Sequence, residues 1–89
     1  MAIRFEVITD SRDGVLAYER LMLLTHAIDV ALYRLANVET VHTDTRLVNF
    51  GADYQYRASY IVRKTGRAVT WNDVYRTINA TYAPVYHHL

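Results

Sequence analysis

No cysteine occurs anywhere in the 89-residue chain, which excludes a disulfide framework, a thiolate metal site and a cysteine nucleophile. Proline is used once, at Pro84, and glycine three times, at Gly14, Gly51 and Gly66. None of these glycines stands in a phosphate-cradling loop, and no linker, repeat or low-complexity segment interrupts the chain. Serine is as scarce, with Ser11 and Ser59 alone; neither lies in a glycine-rich elbow or at a motif distance from a histidine. The chain is short of equipment for nucleophilic catalysis. It is expected to be non-enzymatic, with no cofactor and no resident metal.

Charge of one sign is lacking too. Ten Lys and Arg against nine Asp and Glu leave a net charge of +1, far from the balance of a protein that holds nucleic acid mainly through phosphates. Every basic residue but Lys64 is Arg, a bias that suits bidentate pairing at interfaces and equally fits codon usage. The longest apolar region, residues 15 to 36, is broken by Glu19, Arg20, His26, Asp29 and Arg34, so no spanning helix is expected. Arg4 and Glu6 interrupt the N-terminal run, unlike a secretory signal. These features give the expectation of a soluble, cytoplasmic protein without membrane contact.

What the chain does contain is apolar and aromatic surface: 52% hydrophobic residues, with eight tyrosines. That is enough for one core, and the length is too short for two, so residues 1–89 are expected to form a single domain. Ile3, Phe5 and Val7 alternate with Arg4 and Glu6, the period of a half-buried strand over residues 2 to 9. The following TDSRDG offers N-caps, with Asp10 or Ser11 expected to cap and Asp13 to lie in the first turn of a helix from Arg12 to about Ala36. Asn37 suits the left-handed position beyond it.

Along that helix Ala17, Leu21, Leu24, Ile28, Ala31 and Leu35 form the stripe expected to face the core. A second stripe, Leu16, Glu19, Leu23, His26, Val30 and Tyr33, keeps the same spacing and needs a partner of its own. A neighbouring helix is one candidate, through Val74, Tyr75 and Ile78; another protein chain is the other. Met22 and Tyr18 carry apolar surface further round the circumference, and aromatics and Arg are enriched at interfaces.

Two strands, about Val38 to Phe50 and Asp53 to Arg63, follow as a hairpin around a turn at residues 49 to 52. After a turn at Lys64-Thr65-Gly66-Arg67, Thr70 and Asp73 resemble a capping box in which Asp replaces Glu. The helix that begins near Trp71 carries Trp71, Val74, Tyr75, Ile78 and Tyr82 on its apolar face, ends before Pro84, and leaves VYHHL for a short edge strand. The order β-α-β-β-α(-β) predicts an α+β fold of the ferredoxin-like type, an antiparallel sheet with two helices on one face.

The run 54-YQYRASYIVRK-64 interleaves rings with basic groups. Alternation on a strand places Tyr54, Tyr56, Ala58, Tyr60 and Val62 on one face and Gln55, Arg57, Ser59, Ile61 and Arg63 on the other. Rings and charges are therefore separated. The RNP1 pattern wants a basic residue, then Gly, then an aromatic, and Arg57-Ala58-Ser59-Tyr60 departs from it. A core-facing tyrosine face is the expectation, with Arg57, Arg63, Lys64 and Arg67 left as contacts for nucleic acid or another partner.

Asp10, at the end of the first strand, resembles in position a metal-binding Asp of ferredoxin-like nucleases; the likeness rests on element order, length and that one residue. It implies a metal-dependent nuclease with Asp10, Asp13 and Asp44 as candidate oxygen ligands, whereas helix capping accounts for Asp10 and Asp13 unaided. Of the four histidines, His87 and His88 are expected on a mobile terminus, and His26 as a partly exposed spacer or an interface group. Asn79-Ala80-Thr81 matches a glycosylation sequon by chance. The preferred expectation is an oligomeric or complex-bound protein-protein interaction or assembly protein, of a kind common among small phage and viral structural or accessory proteins. The alternatives are the nucleic-acid module and the Asp10 nuclease.

Overall fold

A computed structural model describes residues 2–49, 51 and 53–88. The elements are β1 (Ala2–Ser11), α1 (Gly14–Tyr33), β2 (Val38–Asn49), β3 (Tyr54–Lys64), α2 (Trp71–Thr81) and β4 (Val85–His88). The four strands form one antiparallel sheet in the order β2-β3-β1-β4, and with two helices the fold is α+β. The expected turn at residues 49 to 52 falls partly outside the described residues.

Alternation in β1 puts Ile3, Phe5 and Val7 wholly out of solvent, and the register carries that face across the sheet. Phe5 lies opposite Tyr60 of β3 and Tyr86 of β4, and His42 of β2 lies opposite Tyr60. One row of rings thus spans all four strands. Phe5 stacks on Tyr60 at 5.2 Å between centroids, Tyr86 tilts against Phe5 at 6.4 Å, and His42 tilts against Tyr60 at 5.0 Å. These separations fall in the favourable range for aromatic pairs.

Both helices cover this face. Tyr75 of α2 meets Tyr86 edge-on at 4.9 Å, and Tyr18 of α1 meets Tyr56 at 5.5 Å. Tyr82, just past α2, donates its hydroxyl to the Ile8 carbonyl at 2.7 Å. Burial pushes the Tyr86 hydroxyl up to about 12, with Tyr75 adding to the shift, and that hydroxyl donates to Asn79 Oδ1. The tyrosine face of β3 belongs to the core, where Ala58, Tyr60 and Val62 are buried while Tyr56 is half-buried and Tyr54 exposed.

The structure corrects several expectations at the ends of α1. β1 continues through Asp10 and Ser11, so neither is the N-cap; Asp13 is, and its Oδ1 accepts from the backbone N–H of Val15 and Leu16. The helix stops at Tyr33 rather than Ala36. Asn37 does adopt the left-handed region, with φ 60°, but in the turn into β2, where its carbonyl accepts from Thr65 N–H at 2.8 Å. A Cβ at Gly66 would lie 2.9 Å from the Asn37 side-chain nitrogen, so glycine is what lets the two loops close on each other.

The buried line of α1 is also rotated from the expected one. It runs Ala17, Leu21, Thr25, Ile28 and Leu32, with Leu24, Ala31 and Leu35 only half-buried. Thr25 is accepted there because its hydroxyl bonds the Met22 carbonyl within its own helix, and buried Thr9 bonds the Ala17 carbonyl at 2.7 Å. A polar group so satisfied costs little to bury.

α2 follows its sequence closely. Thr70 accepts from Asp73 N–H while its own N–H and hydroxyl donate to Asp73 Oδ2 at 3.0 and 2.9 Å, and Val74 and Ile78 are fully buried. Those bonds to Thr70 hold the Asp73 carboxyl below its ordinary range. Its folded pKa is depressed, so the stabilisation is present above the unfolded value and is lost as pH falls through the folded one. Thr70→Ala is expected to cost about 1 kcal/mol at neutral pH and progressively less on acidification; urea midpoints across that range measure it.

Candidate interaction surface

α1 carries apolar residues around most of its circumference, the pattern of a helix buried on every side. The sheet covers one side and α2 packs against another. Val74 and Ile78 of α2 turn into the core, and the second stripe of α1 is left uncovered. Leu23 is 71% exposed and Tyr33 90% exposed, and Leu16, Val30, Val15, Tyr18 and Met22 are exposed as well. Glu19 and His26 lie among them, also exposed. Leu16, Glu19, Leu23, His26, Val30 and Tyr33 therefore form a continuous outward strip.

The strip is flanked by hollows. One open depression is lined by His26, Asp29, Val30, Tyr33 and Arg34, and another by Thr9, Asp10, Arg20, Leu23 and Leu24. Between α1 and β2 two shallow spaces share Asp29, His42 and Tyr60 in their walls. There His42 Nε2 and Thr45 Oγ1 approach to 2.6 Å, bridging the irregularity in the β2–β3 pairing between His42 and Asp44. This groove was not legible as a cluster because its members come from three elements.

Partial burial raises the Asp29 carboxyl, with His42 and His26 offsetting the shift in part. Burial also raises the Tyr60 hydroxyl, against a lowering hydrogen bond with Thr25. For Asp29 the folded pKa lies above the unfolded one, so its favourable contribution is present below the unfolded value and lost as pH rises through the folded value. Asp29→Asn is expected to raise the thermal midpoint at neutral pH and leave it unchanged well below the carboxylate range. An equal or lower midpoint at neutral pH would show that the group is screened by solvent.

Among the described residues, no helix covers the other face of the sheet. On it Glu6 approaches Arg57 at 3.7 Å and the His87 ring at 3.8 Å, while Gln55 links Asp10 to Arg57. Phe5, Tyr54, Tyr56, Tyr60 and Tyr86 all alternate to the helix side, so no Phe or Tyr ring of the described residues of β1, β3 or β4 is on the open face for a base to stack on, and the His87 imidazole there lies 3.8 Å from Glu6. Arg63 and Arg67 are exposed, but Lys64 donates to the Val69 carbonyl at 2.8 Å and lies over the Trp71 ring. The four cationic candidates are thus not equivalent, and two of them already have partners.

Asp10 accepts from Gln55 at 3.0 Å, Asp13 caps α1, and Asp44 is 3.8 Å from Arg46 on β2. Among the described residues no group of three or more His, Asp or Glu converges as metal ligands would. The short edge strand expected at VYHHL is present: His87 and His88 lie in β4, paired with Arg4 and Ile3, because β1 offers a free edge that their backbone completes. Among the described residues no helix is long and apolar enough to cross a membrane. No family model matches the chain, and no curated protein or solved structure matches it.

Proposed function

We propose that this chain is a non-enzymatic interaction or assembly protein that docks through the outward strip of α1. The observation that carries the reading is the exposure of Leu23 and Tyr33, 71% and 90%, at the centre and end of a strip that neither the sheet nor α2 covers. Scattered apolar residues on a surface are ordinary, whereas Leu16, Leu23, Val30 and Tyr33 are exposed together along one line of the helix, a feature of binding sites. A ferredoxin-like arrangement belongs to the same proposal. What supports it is that each βαβ unit is split by a strand of the other: β3 lies between β1 and β2, and β1 between β3 and β4.

Light scattering of the native protein at tens of micromolar, with a search for co-purifying chains, tests the reading. A mass above 10.3 kDa, or a partner released by mutation of the strip, is expected. A monomer with no partner would overturn it.

A further inference from the structure

Of the charges without an ion pair among the described residues, Arg20 and Asp29 stand on the flanks of the strip, and two lie on its line: Glu19 in its interior and Arg34 at its C-terminal end. From these we infer that the partner is a second copy of this chain, with the two α1 helices packed antiparallel about a two-fold axis and Glu19 of each copy opposite Arg34 of the other. The inference rests on the docking role proposed above for the strip.

A two-fold interface uses one patch on both copies, so the patch must be complementary to itself. In an antiparallel helix pair, residues whose numbers have a constant sum lie opposite one another. Centring the strip on its own midpoint sets Leu16 against Tyr33 and Glu19 against Val30. That register buries two carboxylates against apolar groups, and burying an unpaired charge costs several kcal/mol. Sliding the second helix by one turn removes the conflict. Glu19 then meets Arg34 of the second copy, Leu23 meets Val30, each contact occurs twice, and His26 lies beside the axis.

Helix length permits this register. Glu19 and Arg34 are about 22 Å apart along the axis at 1.5 Å per residue, within the span of a 20-residue helix and its C-cap. Asp29 lies to one side of the contact line, by His42, and Arg20 to the other, by Thr9 and Asp10, so neither enters the central seam. A different protein would need an independent basic group placed to meet Glu19 and an acidic one placed to meet Arg34. The second copy supplies both.

Charge reversal in the full chain tests the register, read as dimer dissociation by sedimentation equilibrium. Glu19→Arg and Arg34→Glu are each expected to weaken the dimer about tenfold or more, because each sets like charges opposite one another. The double variant is expected to regain most of the loss. A second measurement uses the absence of cysteine. At the usual interaxial distance of about 8–10 Å, His26→Cys places two thiols within disulfide reach. Mild oxidation should then give a covalent dimer, whereas Arg76→Cys on α2 should not.

A double variant as weak as the singles, or an associating His26→Cys protein that fails to cross-link, overturns the register. A native protein that binds only a different chain through the strip overturns self-pairing and leaves the docking role intact. A monomer without any partner overturns both.

Discussion

Leu23→Glu is expected to abolish association through α1 while leaving the fold unchanged. The side chain is 71% exposed, so in the isolated chain it contributes little to the core, and Leu and Glu have similar helix propensity. Surface changes of this sort shift folding stability by about 0.5 kcal/mol or less. In the docked state the same residue is central to the strip, and a carboxylate there must be desolvated without a partner, at several kcal/mol. Light scattering should therefore return the monomer mass, and thermal unfolding at low concentration should overlay that of the native chain. Retained association with an unchanged fold would place the docking surface elsewhere. Tyr33→Glu, at the end of the strip, is expected to act in the same direction more weakly.

Phe5→Ala is expected to have the largest effect on stability, about 3–5 kcal/mol. Phe5 has no solvent exposure, lies on a central strand, and contacts the rings of both Tyr60 and Tyr86. Its removal opens a cavity in the middle of the ring row, where three strands and their hydrogen bonds restrict collapse. A small domain has about 5–15 kcal/mol to lose, so the unfolding midpoint should fall by well over 10 °C at about 4–8 °C per kcal/mol, or the transition should lose its cooperativity. Tyr18→Ala, whose exposed ring meets half-buried Tyr56 edge-on, should cost far less. Equal costs would show that the row does not carry the core.

Much of the fold was legible because its signals are local. The alternation in β1, the capping box at Thr70 and Asp73, and the apolar face of α2 each depend on residues only a few positions apart. The separation of Tyr60 from Arg57 also followed from one strand's pleat. α1 was different. It is apolar nearly all round, so several stripes share the same three- and four-residue spacing, and spacing alone does not say which one meets the sheet. Asp10, Ser11 and Asp13 are all competent caps; the length of β1, set by its pairing with β3, decided among them. The His87 contact with Glu6 and the Asp29–His42–Tyr60 groove join residues far apart in sequence, and no periodicity announces them.

By itself, then, the sequence determined an α+β class with strands, helices and ring-bearing faces in a given order, since period, propensity and capping act within single elements. It also determined that α1 would have more apolar surface than one sheet can cover. Only the tertiary structure decided which part of that surface stays uncovered. Packing sets the rotation of α1 about its axis: Thr25 and Leu32 turn inward, where the Thr25 hydroxyl can be satisfied, and Leu23 and Tyr33 turn out to solvent.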